Sequence, residues 1–406
     1  MVSSLIVGAL LALGTSAQKA GPIPISSIGL PALQCSHMSL VDPKGKTVLL
    51  RGINLGGWFV EEMWMTPFEQ QNDPGGALPQ VLDHVSLWNA VEKNLGHDAM
   101  VRVREAYRSN WITDDDFARI KAAGFNSVRL PFLSSLIDEP GGVQWLHKAV
   151  NMARVHQLYV VLDMHGAPGG QSTADHTGQV NQNQLWYGWD NITKMASIWG
   201  KLALEFGNDP GVAMFDLMNE PMGALNNSML YLTYDRSYES VRAVSPKKVM
   251  MVEDGYKGLA ESPNPNVPGW TDIAYSVHQY NFGATQPQDH IDALKANLDW
   301  WQQLIIWRDS PMYIGEFNCE PYGTPDTTKA MIKLMEGEGW SWATWTYKTM
   351  APGGPMGQWG LYRYAGSIDP VHPYTDDEAT MIQKIKLSQT KNMESAPGLL
   401  EMFKSL

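Results

Sequence analysis

Short runs of apolar, often β-branched residues punctuate the chain, each bounded by polar or Gly-containing segments. They are Val48–Leu50 leading into Arg51-Gly52-Ile53-Asn54, Ser127–Leu130, Tyr159–Met164, Val212–Met218, Val249–Val252, Ile273–Val277, Met312–Ile314 and Trp342–Trp345. Runs of this length and composition read as strands. Helical periodicity falls between most of them: Asp114–Ala123 with Thr113 placed to cap it, Gln144–His156, Asn191–Phe206, Met229–Val244, Asp289–Ile306 and Thr327–Glu338. Eight strand-then-helix units are satisfied most economically by one closed parallel barrel, so the expected fold class is α/β, a (β/α)8 TIM barrel in a single domain.

The first unit is oversized. The stretch from Asn54 to Ser127, with a polar Gly/Pro-containing segment at Gln71–Leu78, reads as an elaborated first loop. After Pro370 a last helix, Asp376–Leu387, is expected to precede an irregular tail. The division expected is a signal peptide at 1–17, an extension at 18–45, the catalytic barrel at 46–390 and a C-terminal tail at 391–406. The signal rests on the apolar run Leu5–Leu13, followed by Gly14-Thr15-Ser16-Ala17, whose small residues fit a cleavage site before Gln18. That run is too short to span a bilayer, and no later stretch is long and apolar enough. An exported protein, extracellular or in a cell wall, is therefore expected.

Charge narrows the partners. The net charge is −12 with no Lys/Arg block, which argues against nucleic acid and anionic membrane. A monomer is expected. Sixteen tryptophans are many for a soluble chain, and a few of them could line a cleft where their faces stack on sugar rings. Cys35 and Cys319 could pair in an oxidising compartment, but their separation neither supports nor excludes it. The sequons Asn191-Ile192-Thr193 and Asn226-Asn227-Ser228 are candidate glycan acceptors.

The polar residues gather where a barrel builds its active site, at the C-terminal strand ends. The second predicted strand carries Arg129, and the third ends in Asp163-Met164-His165-Gly166. The fourth leads to Asn219-Glu220-Pro221, the fifth to Glu253-Asp254 and the sixth to His278-Gln279-Tyr280. The seventh reaches Glu316 and the eighth carries Trp345. Each alone has an ordinary reading as a hydrogen-bonded loop residue. One barrel geometry, however, brings all of them to one face. Strands four and seven lie roughly opposite each other, so Glu220 and Glu316 would meet across the mouth. Two facing carboxyls suit glycoside hydrolysis, one protonating the leaving oxygen while the other attacks the anomeric carbon; a separation of about 5–5.5 Å gives retention of configuration. On this reading Glu220 is the acid/base and Glu316 the nucleophile. Arg129 would keep Glu316 charged, and Asn219 would bond a 2-hydroxyl. His278 and Tyr280 would orient the carboxylates, His165 the sugar, and Trp345 would floor the cleavage point.

These motifs resemble glycoside hydrolase family 5. The resemblance rests on Gly124-Phe125-Asn126-Ser127-Val128-Arg129-Leu130-Pro131, Leu162-Asp163-Met164-His165-Gly166, Met218-Asn219-Glu220-Pro221, His278-Gln279-Tyr280 and Ile314-Gly315-Glu316-Phe317, in order from about Arg51 to about Tyr362. Within the family, Arg51-Gly52-Ile53-Asn54-Leu55-Gly56-Gly57-Trp58 and Glu62-Met63-Trp64-Met65-Thr66-Pro67 are similar to the fungal exo-β-1,3-glucanase branch. So are Trp111-Ile112-Thr113 ahead of Asp116-Phe117, and His165-Gly166-Ala167-Pro168-Gly169. The resemblance implies a secreted retaining β-glycosidase acting on β-linked glucose, without a cofactor or metal, with Glu62 gripping the non-reducing glucose at the closed end of a pocket. The chain departs from the branch at Gln171–Gly178, at Phe132–Ser135, and at Tyr347 and Met350 where Trp and Glu are usual. Those positions are expected to shape subsites, so β-1,6-glucanase, β-1,4-glucanase and diglycosidase activities stay open. So does a sugar-binding barrel without turnover. A metallohydrolase is disfavoured, because the first strand lacks a His-x-His pair and His165 and His278 are too few.

Overall fold

The computed structural model describes residues 29–71, 75–255, 259–350, 358–364, 366 and 368–406. The expected signal segment, 1–17, lies outside them. Eight parallel strands close into a barrel: β1 (Arg51–Asn54), β2 (Ser127–Leu133), β3 (Tyr159–Gly166), β4 (Val212–Asp216), β5 (Val249–Val252), β6 (Ile273–Gln279), β7 (Met312–Phe317) and β8 (Ser341–Thr344). The β8–β1 pairing of Trp342 with Arg51 and Ala343 with Gly52 completes the ring. Val48–Leu50 feeds β1 and does not belong to it, so the strand begins at Arg51. In contrast, β3, β6 and β7 run past their apolar stretches into polar residues, and β2 runs on through Pro131-Phe132-Leu133. Apolarity ends where the barrel interior turns polar, not where the ladder ends.

Side-chain alternation explains that interior. On each strand every second residue points inward. Tyr159, Val161, Met214, Met251 and Ala274 share one buried cluster with Leu33 and Leu40 of the N-terminal hairpin, which plugs the barrel bottom. Val160, Leu162, Phe215, Met250 and Ile273 belong to the separate cluster beneath the helices. Continuing the inward stripe toward the strand ends gives Asp163 and His165, Asp216, Glu253, Ser276 and His278. The same strand therefore supplies packing below and chemistry above.

The surrounding helices include α3 (Asp114–Ala122), α4 (Gly142–Val155), α5 (Trp189–Phe206), α6 (Asn227–Arg242), α7 (Pro287–Arg308) and α8 (Pro325–Gly337). Thr113 and Asp116 form a capping box on α3, as its sequence predicts. The first connection is more than a loop, for it holds α1 (His84–Leu95) and α2 (His97–Trp111). Met100, Val103, Tyr107 and Trp111 on α2 are buried at helical spacing, a signal available in the sequence. That face has a purpose. Tyr107 Oη donates to the Gly57 carbonyl at 2.5 Å and Trp111 Nε1 to the Gly56 carbonyl at 2.8 Å. The helix thus pins the turn that leads to Glu62. Gly57 has φ +76°, and a Cβ there would meet the Trp111 ring at 3.0 Å.

The C-terminal segment corrects the expectation of an irregular tail. After α9 (Glu378–Lys386), Glu394–Ser395 pairs antiparallel with Tyr362–Arg363, and α10 (Leu399–Lys404) follows. Phe403 is buried against Phe125 and Trp342, with ring centroids at 4.7 and 6.2 Å. The tail is short but covers apolar rings that would otherwise face water. Both cysteines are free thiols. Cys35 sits by Asp272, just before β6, whereas Cys319 follows the end of β7. The length of the barrel separates those two ends. Asn226 is exposed and Asn191 half-buried. Replacing Phe403 by Ala should cost about 3–5 kcal/mol, the range for deleting a buried aromatic ring. A lowered urea midpoint with an unchanged slope would show it; a midpoint equal to wild type would mean the tail is dispensable.

Candidate active site

The expected residues converge at the C-terminal mouth of the barrel. Its foundation is Arg129 on β2, fully buried. Nη1 lies 2.8 Å from Glu316 Oε1 and 3.1 Å from Asp163 Oδ2. Nη2 lies 2.8 Å from Asp216 Oδ2, 2.8 Å from Asn219 Oδ1 and 3.4 Å from Glu253 Oε1. Burial works against the guanidinium charge, but Asp163, Asp216, Glu316 and Glu253 outweigh it and hold the group firmly cationic. Asp216 moves the other way: burial and the neighbouring Glu253 push its carboxyl well above the ordinary range. The cluster thus avoids four full negative charges around one cation.

Glu220 follows β4 in an unusual backbone state, φ +41°, which a side-chain-bearing residue adopts only under local constraint. Its own N–H donates to Glu253 Oε2 at 2.8 Å, and this bond holds the turn. His278 Nδ1 lies 2.6 Å from Glu220 Oε1 and 3.5 Å from Glu316 Oε2. Its Nε2 lies 3.2 Å from Glu253 Oε1. Burial would favour the neutral ring, but Glu253, Glu316 and Glu220 together raise the imidazole well above its usual value. Glu253 in turn is held low; burial opposes ionisation, and His278, Arg129 and the Glu220 N–H overcome it. Tyr280 Oη donates to the other oxygen of Glu316 at 2.7 Å. Glu220, His278 and Glu316 present atoms that all lie within 4.8 Å of one another. That places the two carboxyls in the range of a retaining pair.

Between the carboxyls opens a cavity of about 180 Å³ lined by Glu62, His165, Asn219, Glu220, Tyr280, Glu316 and Trp345, among others. His165 lies flat on Trp345, centroids 5.5 Å apart and planes within 6°. Its Nδ1 is bonded to Asp163 at 2.7 Å, and Asp163 outweighs burial to raise its pKa. Asn219 Nδ2 and Glu62 Oε1 are buried polar atoms without a hydrogen-bond partner, although His165 Nε2 lies 3.9 Å from Glu62 Oε1. Such atoms are costly unless a ligand satisfies them. Glu62 accepts from Trp64 Nε1 at 2.9 Å, and burial, with Asp175 nearby, raises its pKa to about 8.

Five lining residues escaped the sequence reading: Trp64, Asp175, His176, Phe282 and Trp359. His176 Nε2 lies 3.4 Å from Glu220 Oε2. It sits in the Gln171–Gly178 stretch that departs from the glucanase branch, and that departure was its only signal. Two other departures do not act as expected. Tyr347 is buried and donates to Asp116 Oδ1 at 2.8 Å, and Met350 is buried with its N–H bonded to the Met65 carbonyl. Neither lines the cavity, because the backbone turns away from the mouth after Trp345.

A (β/α)8 barrel with two glutamates facing across its mouth, one bonded to an arginine and a tyrosine, defines a class of sugar-processing barrels. The sequence profile described as Cellulase (glycosyl hydrolase family 5) matches residues 89–351, and the chain belongs to that family. It is 29% identical over 286 residues to a protein of Aspergillus niger named "Probable glucan 1,3-beta-glucosidase A", covering 67% of this chain and 65% of that protein. It is 28% identical over 369 residues to a "Glucan 1,3-beta-glucosidase" of Blumeria graminis, covering 86% and 80%. The chain therefore spans just under two thirds of the Aspergillus relative's length. Rutinosidase from Aspergillus niger shares the fold, with TM-score 0.58 and 14% identity over 74% of this chain and 90% of that one.

Two outcomes follow from this geometry. Tyr280→Phe removes a hydrogen bond to a charged carboxylate and should lower kcat about 10- to 100-fold; an unchanged kcat would show that the bond is idle. Glu62 keeps its proton to about pH 8 when folded but to about 4.5 when unfolded. The folded state thus binds more protons in that window. The contribution of Glu62 to stability is full below about 4.5 and fades as pH rises through about 8. Urea midpoints of Glu62→Gln should lack that decline, and parallel pH curves for the two proteins would count against it.

Proposed function

We propose that the protein is a secreted retaining β-glycosidase that removes single glucose units from the non-reducing ends of β-1,3-glucan. The observation that carries this reading is the meeting of Glu220 and Glu316, within 4.8 Å, at a cavity of about 180 Å³. That space is close to one hexose ring. Glu62 and Trp64 line it on the side of the β1 connection, which suits removal of a terminal sugar better than cutting within a chain. The names of the fungal relatives support the same substrate. No helix among the described residues is long and apolar enough to cross a membrane.

In the first half of the reaction Glu316, held by Arg129 and Tyr280, attacks the anomeric carbon. Glu220 gives its proton to the departing oxygen. His278 already occupies Glu220 Oε1, so the proton leaves from Oε2, where His176 also sits. The Asn219 amide meets the 2-hydroxyl, whose hydrogen bond strengthens as the sugar gains oxocarbenium character. In the second half Glu220, now ionised, takes a proton from water, and that water opens the glycosyl ester. Trp345 with His165 stacked behind it supports the flattened ring. Glu62, protonated below about pH 8, both donates to and accepts from hydroxyls at the far end.

The rate should be bell-shaped with pH, because Glu316 must be ionised while Glu220 is protonated. Proton NMR of early digestion of laminarin should show β-glucose forming first, with glucose as the only small product. First-formed α-glucose, or a ladder of oligosaccharides, would sink the retaining or the exo reading respectively. Glu316→Gln should abolish turnover. Glu220→Ala should lose far more activity on laminarin than on an activated aryl glucoside, with azide restoring part of the latter.

A further inference from the structure

A second chamber, of about 520 Å³, touches Glu220, Tyr280 and Phe282 but neither Glu316 nor Glu62. The described residues of the connection between β5 and β6 form no helix. Glu253, Asp254 and Gly255, where that connection leaves β5, line one side of the chamber beside Glu220. Opposite lies α7, which offers Ala293, Asn297, Trp300 and Trp301 to the space. These positions recur at the spacing of one helical face. Trp301 is buried, but Trp300 is half-exposed, a large indole left in contact with water. Phe282 is exposed at the boundary with the catalytic cavity, stacked with Tyr280 at 5.4 Å and with Trp359 at 6.0 Å. Asn281 and Asn297 also line the space, with Asn281 Nδ2 bonded to the Asp289 carbonyl at 3.0 Å and Asn297 Nδ2 to the Ala293 carbonyl at 3.3 Å.

We propose that this chamber holds the leaving group, and that Trp300 is a specificity-determining surface on which the first ring of a sugar leaving group stacks. The argument rests on the reading of Glu220 as the acid. When the glycosidic C–O bond breaks, the electron pair goes to the departing oxygen and the proton comes from Glu220. The anomeric carbon goes to Glu316. A space that contacts the proton donor and not the nucleophile therefore lies on the departing side. Its aromatic surfaces match the faces of a pyranose. The chamber is larger than the catalytic cavity, so it accommodates more than one ring of a leaving chain.

The test compares two substrates that share the glucosyl part. β-Glucosyl fluoride has a one-atom leaving group; laminaribiose has a glucose ring. For Trp300→Ala, kcat/KM on laminaribiose should fall about tenfold more than on the fluoride, the size expected from one lost ring contact. Trp300→Phe should recover most of the difference. Equal losses on both substrates, or no loss on laminaribiose, overturn the proposal. Glu220→Gln separates the two readings, because undiminished laminaribiose hydrolysis by that variant would defeat the acid assignment whatever Trp300 does. If the wild type hydrolyses a different disaccharide, the glucan reading fails, and the same comparison with that disaccharide and its glycosyl fluoride still decides the chamber.

Discussion

One buried guanidinium organises the mouth of this barrel. Arg129 has no access to water and binds four carboxyl groups from β3, β4, β7 and the end of β5. Such a group is tolerable only because its donors are matched by acceptors on several strands, and the acceptors are tolerable only because of it. Removing one partner of a buried ion cluster strands the others, at a typical cost of about 3–5 kcal/mol. The arrangement therefore does two things with one side chain. It ties the strands together across the polar interior of the barrel, and it holds Glu316 through a 2.8 Å contact.

The two glutamates differ because their surroundings differ. Glu316 accepts hydrogen bonds from the Arg129 guanidinium and the Tyr280 phenol, one on each oxygen. Glu220 faces an imidazole that it shares with Glu316 and Glu253. Its backbone is held in a constrained conformation by Glu253. Glu253 touches no part of the cavity lined by the two carboxyls, yet it supports both His278 and the Glu220 turn. Its place at the end of β5 marked it as polar; its work is to hold other residues.

What the barrel does with this chemistry depends on the connections above it. The β1 connection brings Glu62 and Trp64, and α2 locks that connection through Gly56 and Gly57. The β3 connection brings Asp175 and His176. Beside Glu220, between the ends of β5 and β6 and one face of α7, lies the wider chamber. A small cavity on one side and a wide chamber on the other suit an enzyme that holds one sugar tightly and its departing partner loosely.

The eight strands, most of the helices and the paired glutamates were legible in the sequence, because apolar runs and helical periodicity are local and because a parallel barrel sends its strand ends to one place. The predicted strands and the residues just after them singled out Arg129, His165, Asn219, His278, Tyr280 and Trp345 for the same reason: each lies on a strand or just beyond its end. The helices of the first connection were also written there, in the spacing of Met100, Val103, Tyr107 and Trp111, but the polar segment before them masked the pattern. His176, Trp359 and Trp300 were not legible, since each belongs to a connection or a helix face whose position is set by packing at a distance. Nor could the sequence decide that Tyr347 turns inward to Asp116 or that the tail folds onto Phe125. Local order along the chain determines which residues end a strand; only the closed three-dimensional arrangement decides which side chains from separate connections share a space, because contacts between distant segments leave no periodic trace in either one.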